Sequence, residues 1–270
     1  MGDLKQRPSV ADVCADLAQE HRDLDGVVVE LSEADWALPT PAPGWDVRDQ
    51  IGHLAYFDRQ AFLAVSDPEA FATGREAAEE SGWEAFASSH LEIARNSTPA
   101  AVVAEWRRSR AEMLDVLSTL DPHDRIGWYG PDMGALTFVS ARLMETWAHG
   151  QDVVDALGIG RHPTTRLRHI CELGVRTRSW SYEVRRMEPP ASAARVELLA
   201  PDGETWVIGA DVADDLVRGS ALDFCLVVTQ RRNLADTDLV ATGPRAVEWL
   251  ALAQVFAGPP GTGRRAGEFG

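Results

Sequence analysis

The sequence predicts a helical bundle followed by a small mixed α+β module, and three observations carry that prediction. Apolar residues recur at helical spacing through the first two thirds of the chain, as in Val13, Leu17, Leu24 and Val28. Helix start and stop signals punctuate the same stretch. Beyond Pro189-Pro190 the pattern changes to short apolar runs separated by turn residues, as expected of strands.

Taken in order, Ser9 caps a first helix over about residues 10–31. The proline-rich turn Pro39-Thr-Pro-Ala-Pro-Gly-Trp45 stops any helix and delivers the chain to Asp46. Asp46 with Asp49 forms a capping arrangement, and the helix it opens carries Val47, Ile51, Leu54, Phe62 and Val65. A weaker pair of segments over 68–95 is split near Gly82, and Thr98-Pro99 starts a helix that ends near Leu120. Residues 121–135 form a long loop. Another helix runs from about Thr137 to Leu157 and stops at Gly158, and one more covers roughly 164–186. Helices joined in this way pack as a bundle, expected over 1–188. Residues 189–270 follow as the α+β module. Its parts are a hairpin of 195–199 and 205–208 around Pro201-Asp-Gly203, a helix over 213–230, a strand near Leu239-Val240 and a helix over 244–256. The Gly- and Arg-rich tail after Ala257 is expected to be partly disordered.

Composition removes several function classes. The chain has 270 residues, 45% hydrophobic and 25% charged, which excludes disorder over most of its length. Charged residues interrupt every apolar run well short of a membrane span. The first ten residues hold no apolar stretch behind a basic start, so the expected compartment is the cytoplasm. A net charge of −16 argues against loose nucleic-acid binding, which needs clustered cations. Lys5, at an N-terminus expected to fray, is the only lysine, which discards Schiff-base catalysis. Cys14, Cys171 and Cys225 are scattered and form no CxxC pair, so they read as reduced, buried thiols.

The informative segment is Met144-Glu-Thr-Trp-Ala-His-Gly-Gln-Asp152. Glu145 and His149 are four apart and share one helix face, with Asp152 about one turn further on. Such spacing can present a carboxylate and an imidazole to one cation, or simply form a local charge-assisted pair. A further ligand must come from another helix, and His53 is the best candidate, with Gly52 beside it to allow a close neighbour. Two neutral imidazoles and one carboxylate would leave coordination positions open, the pattern of catalytic zinc. Asp152 would then orient a ligand from behind. Trp128 and Tyr129, in the long loop, either line a substrate pocket or anchor the loop. Trp36, Trp45, Trp106 and Trp147 are expected to pack the bundle. His21, His90, His123, His162 and His169 have no matching partners and read as surface or packing residues.

The tail Gly258-Pro-Pro-Gly-Thr-Gly-Arg-Arg265 begins like a phosphate-binding loop. Arg264 replaces its lysine, Arg265 replaces its hydroxyl residue, and no helix can follow, so nucleotide binding is rejected.

The stretch Gly44-Trp-Asp-Val-Arg-Asp-Gln-Ile-Gly-His53-Leu, taken with Glu145-Thr-Trp-Ala-His149-Gly-Gln-Asp152, resembles the mycothiol-dependent maleylpyruvate isomerase family. That family belongs to the larger group of DinB-like metal-binding four-helix bundles. Gly219-Ser-Ala-Leu-Asp-Phe-Cys-Leu and Trp249-Leu-Ala-Leu-Ala-Gln-Val-Phe-Ala-Gly-Pro-Pro-Gly261 resemble its second, sterol-carrier-like domain. The resemblance implies a DinB-like bundle with extra helices, and His53, Glu145 and His149 as ligands, zinc (Zn2+) being the usual ion. It also implies an arginine from the second domain near the metal, with Arg231 and Arg232 as the matching pair. The alternative for both is a place at a solvated helix C-terminus, where arginine is favoured.

The expected function is then a metal-dependent transferase or isomerase that uses a low-molecular-weight thiol, mycothiol above all, on a small electrophilic molecule. A metal-bound thiol is deprotonated near neutral pH and becomes a nucleophile. Two alternatives stand beside it. One keeps the metal without the thiol, as a hydrolase, lyase or isomerase. The other is a non-catalytic protein that binds apolar ligands.

Overall fold

The computed structural model describes residues 8–269, and Lys5 lies outside them. The chain forms two compact units, Met1–Gly160 and Arg161–Gly270. The first is helical: α1 (Val10–Val28), α2 (Val47–Ser66), α3 (Pro68–Ser81), α4 (Trp83–Arg95), α5 (Pro99–Leu117) and, after a two-stranded ribbon of β1 (Arg125–Ile126) and β2 (Met133–Gly134), α6 (Ala135–Leu157). Four long helices, α1, α2, α5 and α6, make the bundle, and α3 and α4 are the extra pair.

The helix boundaries follow from their caps. Ser9 and Asp46 each close a reciprocal capping box with the acid three residues on. Thr98 accepts from the Ala101 N–H, with Pro99 in the first turn. Gly158 ends α6 in the left-handed region at φ 64°, where a side chain would be strained. The core around α2 contains Val28, Ile51, Leu54, Val102, Trp106 and Val153, all buried. Each such side chain contributes about 1.5–3 kcal/mol by leaving water. A buried ion pair, Arg142 Nη2 to Asp58 Oδ1 at 2.8 Å, ties α6 to α2.

The second unit holds α7 (Leu167–Arg176), α8 (Arg178–Glu183), β3 (Ala194–Leu199), β4 (Thr205–Gly209), β5 (Asp215–Ser220), α9 (Ala221–Val228), β6 (Val240–Thr242) and α10 (Pro244–Leu252). Its sheet runs β4-β3-β5-β6, with β3 and β5 parallel and the two outer pairings antiparallel. Val196, Leu198 and Val217 alternate onto the buried face, and Phe224 and Trp249 from α9 and α10 meet edge-on in the same core. The expected architecture, a helical region and then a small sheet-containing one, is the architecture observed.

Several details differ from the sequence expectations. The division between units falls at Gly160, not near Pro189, because α7 and α8 pack within the sheet-bearing unit: Gly174 of α7 sits against Phe224 and Val228. The helix expected over 213–230 begins only at Ala221, where Ser220 caps it; residues 215–220 are a central strand paired on both sides. Thr177 splits the helix expected over 164–186. The tail after Ala257 is held rather than loose. Gln254, 1% exposed, shares its amide hydrogens among the carbonyls of Phe256, Gly258 and Pro259 and accepts from the Gly261 N–H. Cys14, Cys171 and Cys225 are buried thiols, as expected, but the fold brings Cys171 and Cys225 to 3.5 Å. Burial pushes the Cys225 thiol well above its ordinary pKa, which keeps it protonated and inert.

Helix α10 has no cap from its own N-terminal residues; Asp215 of β5 supplies one by accepting from the backbone N–H groups of Arg245 and Ala246. Its other oxygen accepts from the Ser192 hydroxyl. Asp215→Ala is expected to lower unfolding free energy by about 2 kcal/mol, and Asp215→Asn, which keeps one acceptor, by less. Urea denaturation of the two variants measures the difference; equal losses would remove the capping role.

Candidate metal centre

Helix α2 delivers His53 and α6 delivers Glu145 and His149 to one point. One potential ligand atom from each lies within 4.8 Å of those of the other two, and His149 Nε2 is 3.2 Å from Glu145 Oε2. The three residues singled out from two remote stretches therefore converge. Small side-chain adjustments from this spacing would permit metal bonds of about 2.0–2.2 Å.

Hydrogen bonds outside the cluster decide which ring nitrogen each histidine offers. The Thr40 hydroxyl donates to the Trp45 carbonyl at 2.9 Å, so its oxygen accepts from Gln50 Nε2 at 2.8 Å. Gln50 must then turn its carbonyl oxygen to His149, whose Nδ1–H donates to it at 2.5 Å. The second relay starts at the Phe86 carbonyl, which accepts from His90 Nδ1 at 3.0 Å. His90 Nε2 faces His53 Nδ1 at 3.1 Å. Burial lowers the pKa of His90 and keeps it neutral, so its Nε2 accepts and His53 Nδ1 donates. Both relays end on carbonyls that can only accept. In a neutral imidazole that arrangement makes Nε2 the lone-pair nitrogen of each ligating histidine, as metal binding requires.

The motif around His53 builds this site locally. Gly44 takes φ 79°, which turns Trp45 against His53 and His149, with ring centroids 5.1 and 5.9 Å away. Arg48 donates to the carbonyls of Arg95 and Ser97 at the end of α4, and Arg95 grips Asp49 with two hydrogen bonds of 2.7 and 2.8 Å. Gly52 allows the close neighbour expected of it: a Cβ there would stand 2.3 Å from the Cβ of Ala94. That approach brings α4, and with it His90, up to α2.

The remaining expectations fare differently. Trp45 walls the cluster instead of packing the bundle interior. His90 is no bystander, being buried and bonded to His53. Asp152 is fully buried on α6 outside the three-residue cluster, and the His149 nitrogen that it would orient is bonded to Gln50. Trp128 is buried and stacked on Phe71 at 5.6 Å, and its carbonyl accepts from Arg75, which anchors the loop. Tyr129 is half-buried at 5.5 Å from Phe57, whose ring is 4.5 Å from His53. In the second unit, Arg231 donates to the Thr229 carbonyl, and the Arg232 guanidinium lies 4.2 Å from the centre of the Phe269 ring. Sequence reasoning missed Gln50 and His90, since neither stands at a helical spacing from the histidine it serves.

The close α2–α4 contact yields a test. Gly52→Ala is expected to cost about 1–3 kcal/mol of stability by overpacking, while Gly74→Ala, where an added Cβ meets nothing within 4 Å, should cost nothing. Thermal and urea unfolding read both.

Comparison with known proteins agrees with this architecture. The sequence profile described as the mycothiol maleylpyruvate isomerase N-terminal domain matches residues 17–154. Two Mycobacterium tuberculosis proteins, "Uncharacterized protein MT0041" of strain CDC 1551 / Oshkosh and "Uncharacterized protein Rv0036c" of strain ATCC 25618 / H37Rv, are each 47% identical over 250 residues. The match covers 93% of this chain and 97% of theirs. The crystal structures of the mycothiol-dependent maleylpyruvate isomerase and of a point mutant of it superpose with a TM-score of 0.56. They are 13% identical and cover 87% of this chain and 93% of theirs, a likeness of fold. With a matching profile over half the chain and this degree of identity along nearly all of it, the chain belongs to the mycothiol maleylpyruvate isomerase family.

Proposed function

We propose that this protein is a metal- and thiol-dependent enzyme, an isomerase or S-transferase, that acts on a small electrophilic molecule with mycothiol as its thiol. The observation that carries this reading is the pair of relays that present two Nε2 lone pairs beside the Glu145 carboxylate. Two imidazoles and a carboxylate suit zinc, and they fill only part of its coordination shell. A divalent ion held there would lower the pKa of a thiol or water that reaches it.

The chain's own residues would do the rest. Gln50 and His90 hold His149 and His53 in one tautomer and one orientation. Trp45 and Phe57 flank the imidazoles with apolar rings, which keeps water from surrounding the cluster. Tyr129, with its hydroxyl 3.3 Å from Gln60 Oε1, is the aromatic residue placed to border a substrate. Burial raises its pKa, so it remains a neutral donor. Asp152 would support the ligand-bearing stretch of α6 from within the core. Arg231 and Arg232 are the candidates for holding a carboxylate or enolate, which a protein of this net charge must do locally. No helix among the described residues is long and apolar enough to cross a membrane.

The test begins with metal content. About one zinc per chain is expected after metal-replete purification, and His53→Ala and His149→Ala should abolish it. Gln50→Ala and His90→Ala keep all three ligands but should weaken zinc by roughly 10–100-fold in chelator competition. Unchanged zinc binding in the two ligand variants would overturn the metal site. Turnover of maleylpyruvate and related electrophiles should require added mycothiol; equal rates without it would favour the thiol-independent chemistry.

A further inference from the structure

His90 orients His53, and something must in turn hold His90. Two hydrogen bonds direct its ring, Nδ1 to the Phe86 carbonyl at 3.0 Å and Nε2 to His53 Nδ1 at 3.1 Å. They set which way the nitrogens point, but a hydrogen bond tolerates about 30° of misalignment, so they resist tilting of the ring plane only weakly. Packing is also incomplete on one side. A cavity of about 400 Å³ between α2, α4 and α5 has both His90 and Tyr56 among its lining residues. An imidazole that swung toward this space would leave the Phe86 carbonyl and His53 together.

Tyr56 stands where it opposes that movement. It lies three residues beyond His53 on α2, on the same helix face. Its ring lies over the imidazole of His90, with centroids 4.9 Å apart and planes 25° from parallel. Phe57 and Phe86 meet the same imidazole at steeper angles, 80° and 49°. Among the described residues, Tyr56 is therefore the ring that stacks face to face on His90, the arrangement that best resists tilt. Tyr56 is itself held, since its hydroxyl meets that of Tyr129, which reaches on to Gln60 Oε1.

We propose that Tyr56 is a positioning residue of the metal centre: by stacking on His90 it fixes the plane of that imidazole, and through it the orientation of His53. The effect on zinc rests on the metal reading above, whereas the effect on the His90 ring does not.

Two measurements on the full-length protein test it. In the zinc-free protein at neutral pH, nitrogen–proton correlation spectra of the imidazoles report which nitrogen carries the hydrogen. His90 is expected in one tautomer, with hydrogen on Nδ1, and should stay so in Tyr56→Phe, which keeps the ring. Tyr56→Leu, which removes the ring face, should show exchange between both tautomers; Tyr56→Met takes its place should that variant fail to fold. In chelator competition, Tyr56→Leu should weaken zinc by about two- to tenfold, the worth of one stacked pair, while Tyr56→Phe should bind as the unaltered protein does. On a His90→Ala background, Tyr56→Leu should cost nothing further, which a general loss of packing would not reproduce. The proposal is overturned if His90 keeps one tautomer or zinc affinity is unchanged in Tyr56→Leu. It is equally overturned if Tyr56→Phe behaves as Tyr56→Leu does, or if Tyr56→Leu weakens zinc as much without His90 as with it. No zinc binding by the unaltered protein would instead overturn the metal reading, and the tautomer spectra would then decide whether Tyr56 holds His90.

Discussion

A backbone carbonyl can accept a hydrogen bond but never donate one, and the candidate centre depends on that asymmetry. Trp45 O and Phe86 O each sit at the far end of a short relay, and each forces the direction of every bond after it. Without them Gln50 could turn its amide either way and His90 could take either tautomer. With them, His53 and His149 both spend Nδ1 on the relay, so that in the neutral imidazole the lone pair is on Nε2. A metal site built on rings free to rotate would lose part of its affinity to ordering them; here the ordering is done by groups that the fold has already buried.

The relays hold only because three helices stand in fixed register. Asp58 and Arg142 join α2 to α6 inside the core, close along the chain to the ligand-bearing turns. A buried ion pair of this kind adds little net stability, because both charges have left water, but it penalises sliding of one helix along the other. On the opposite side of α2, Gly52 meets Ala94 without a side chain between them, and Arg95 and Arg48 lash the end of α4 to the start of α2. The Gly44–His53 stretch is therefore one mechanical part. It turns a loop, caps a helix, orients one ligand, admits a neighbouring helix and supplies the other ligand.

The charge distribution divides along similar lines. A net charge of −16 repels anions at long range and favours solubility, so any oxyanion recognition has to be built at short range from desolvated guanidinium groups. The segment after Ala257 has a Gly-Pro-Pro-Gly composition that suggests disorder, yet a single buried glutamine side chain holds it by three hydrogen bonds.

By itself the sequence determined the elements whose signals are local. Ser9, Asp46, Thr98-Pro99 and Gly158 mark helix ends because a cap acts within one turn, and Glu145 and His149 share a face because helical spacing dictates it. The family motifs brought His53 to the same point, as a resemblance and not as a deduction. Only the tertiary structure decided the rest. Residues 215–220 became a strand because β3 and β6 were there to pair with them, while a run that short fits either period. His90 became a partner of His53, 37 positions away, because Gly52 lets α4 approach. Gln50 reached His149 across 99 positions, and Arg185 reached the tail across 76. Such contacts have no period along the chain; they exist only once packing has set the distance between elements that the sequence specifies one at a time.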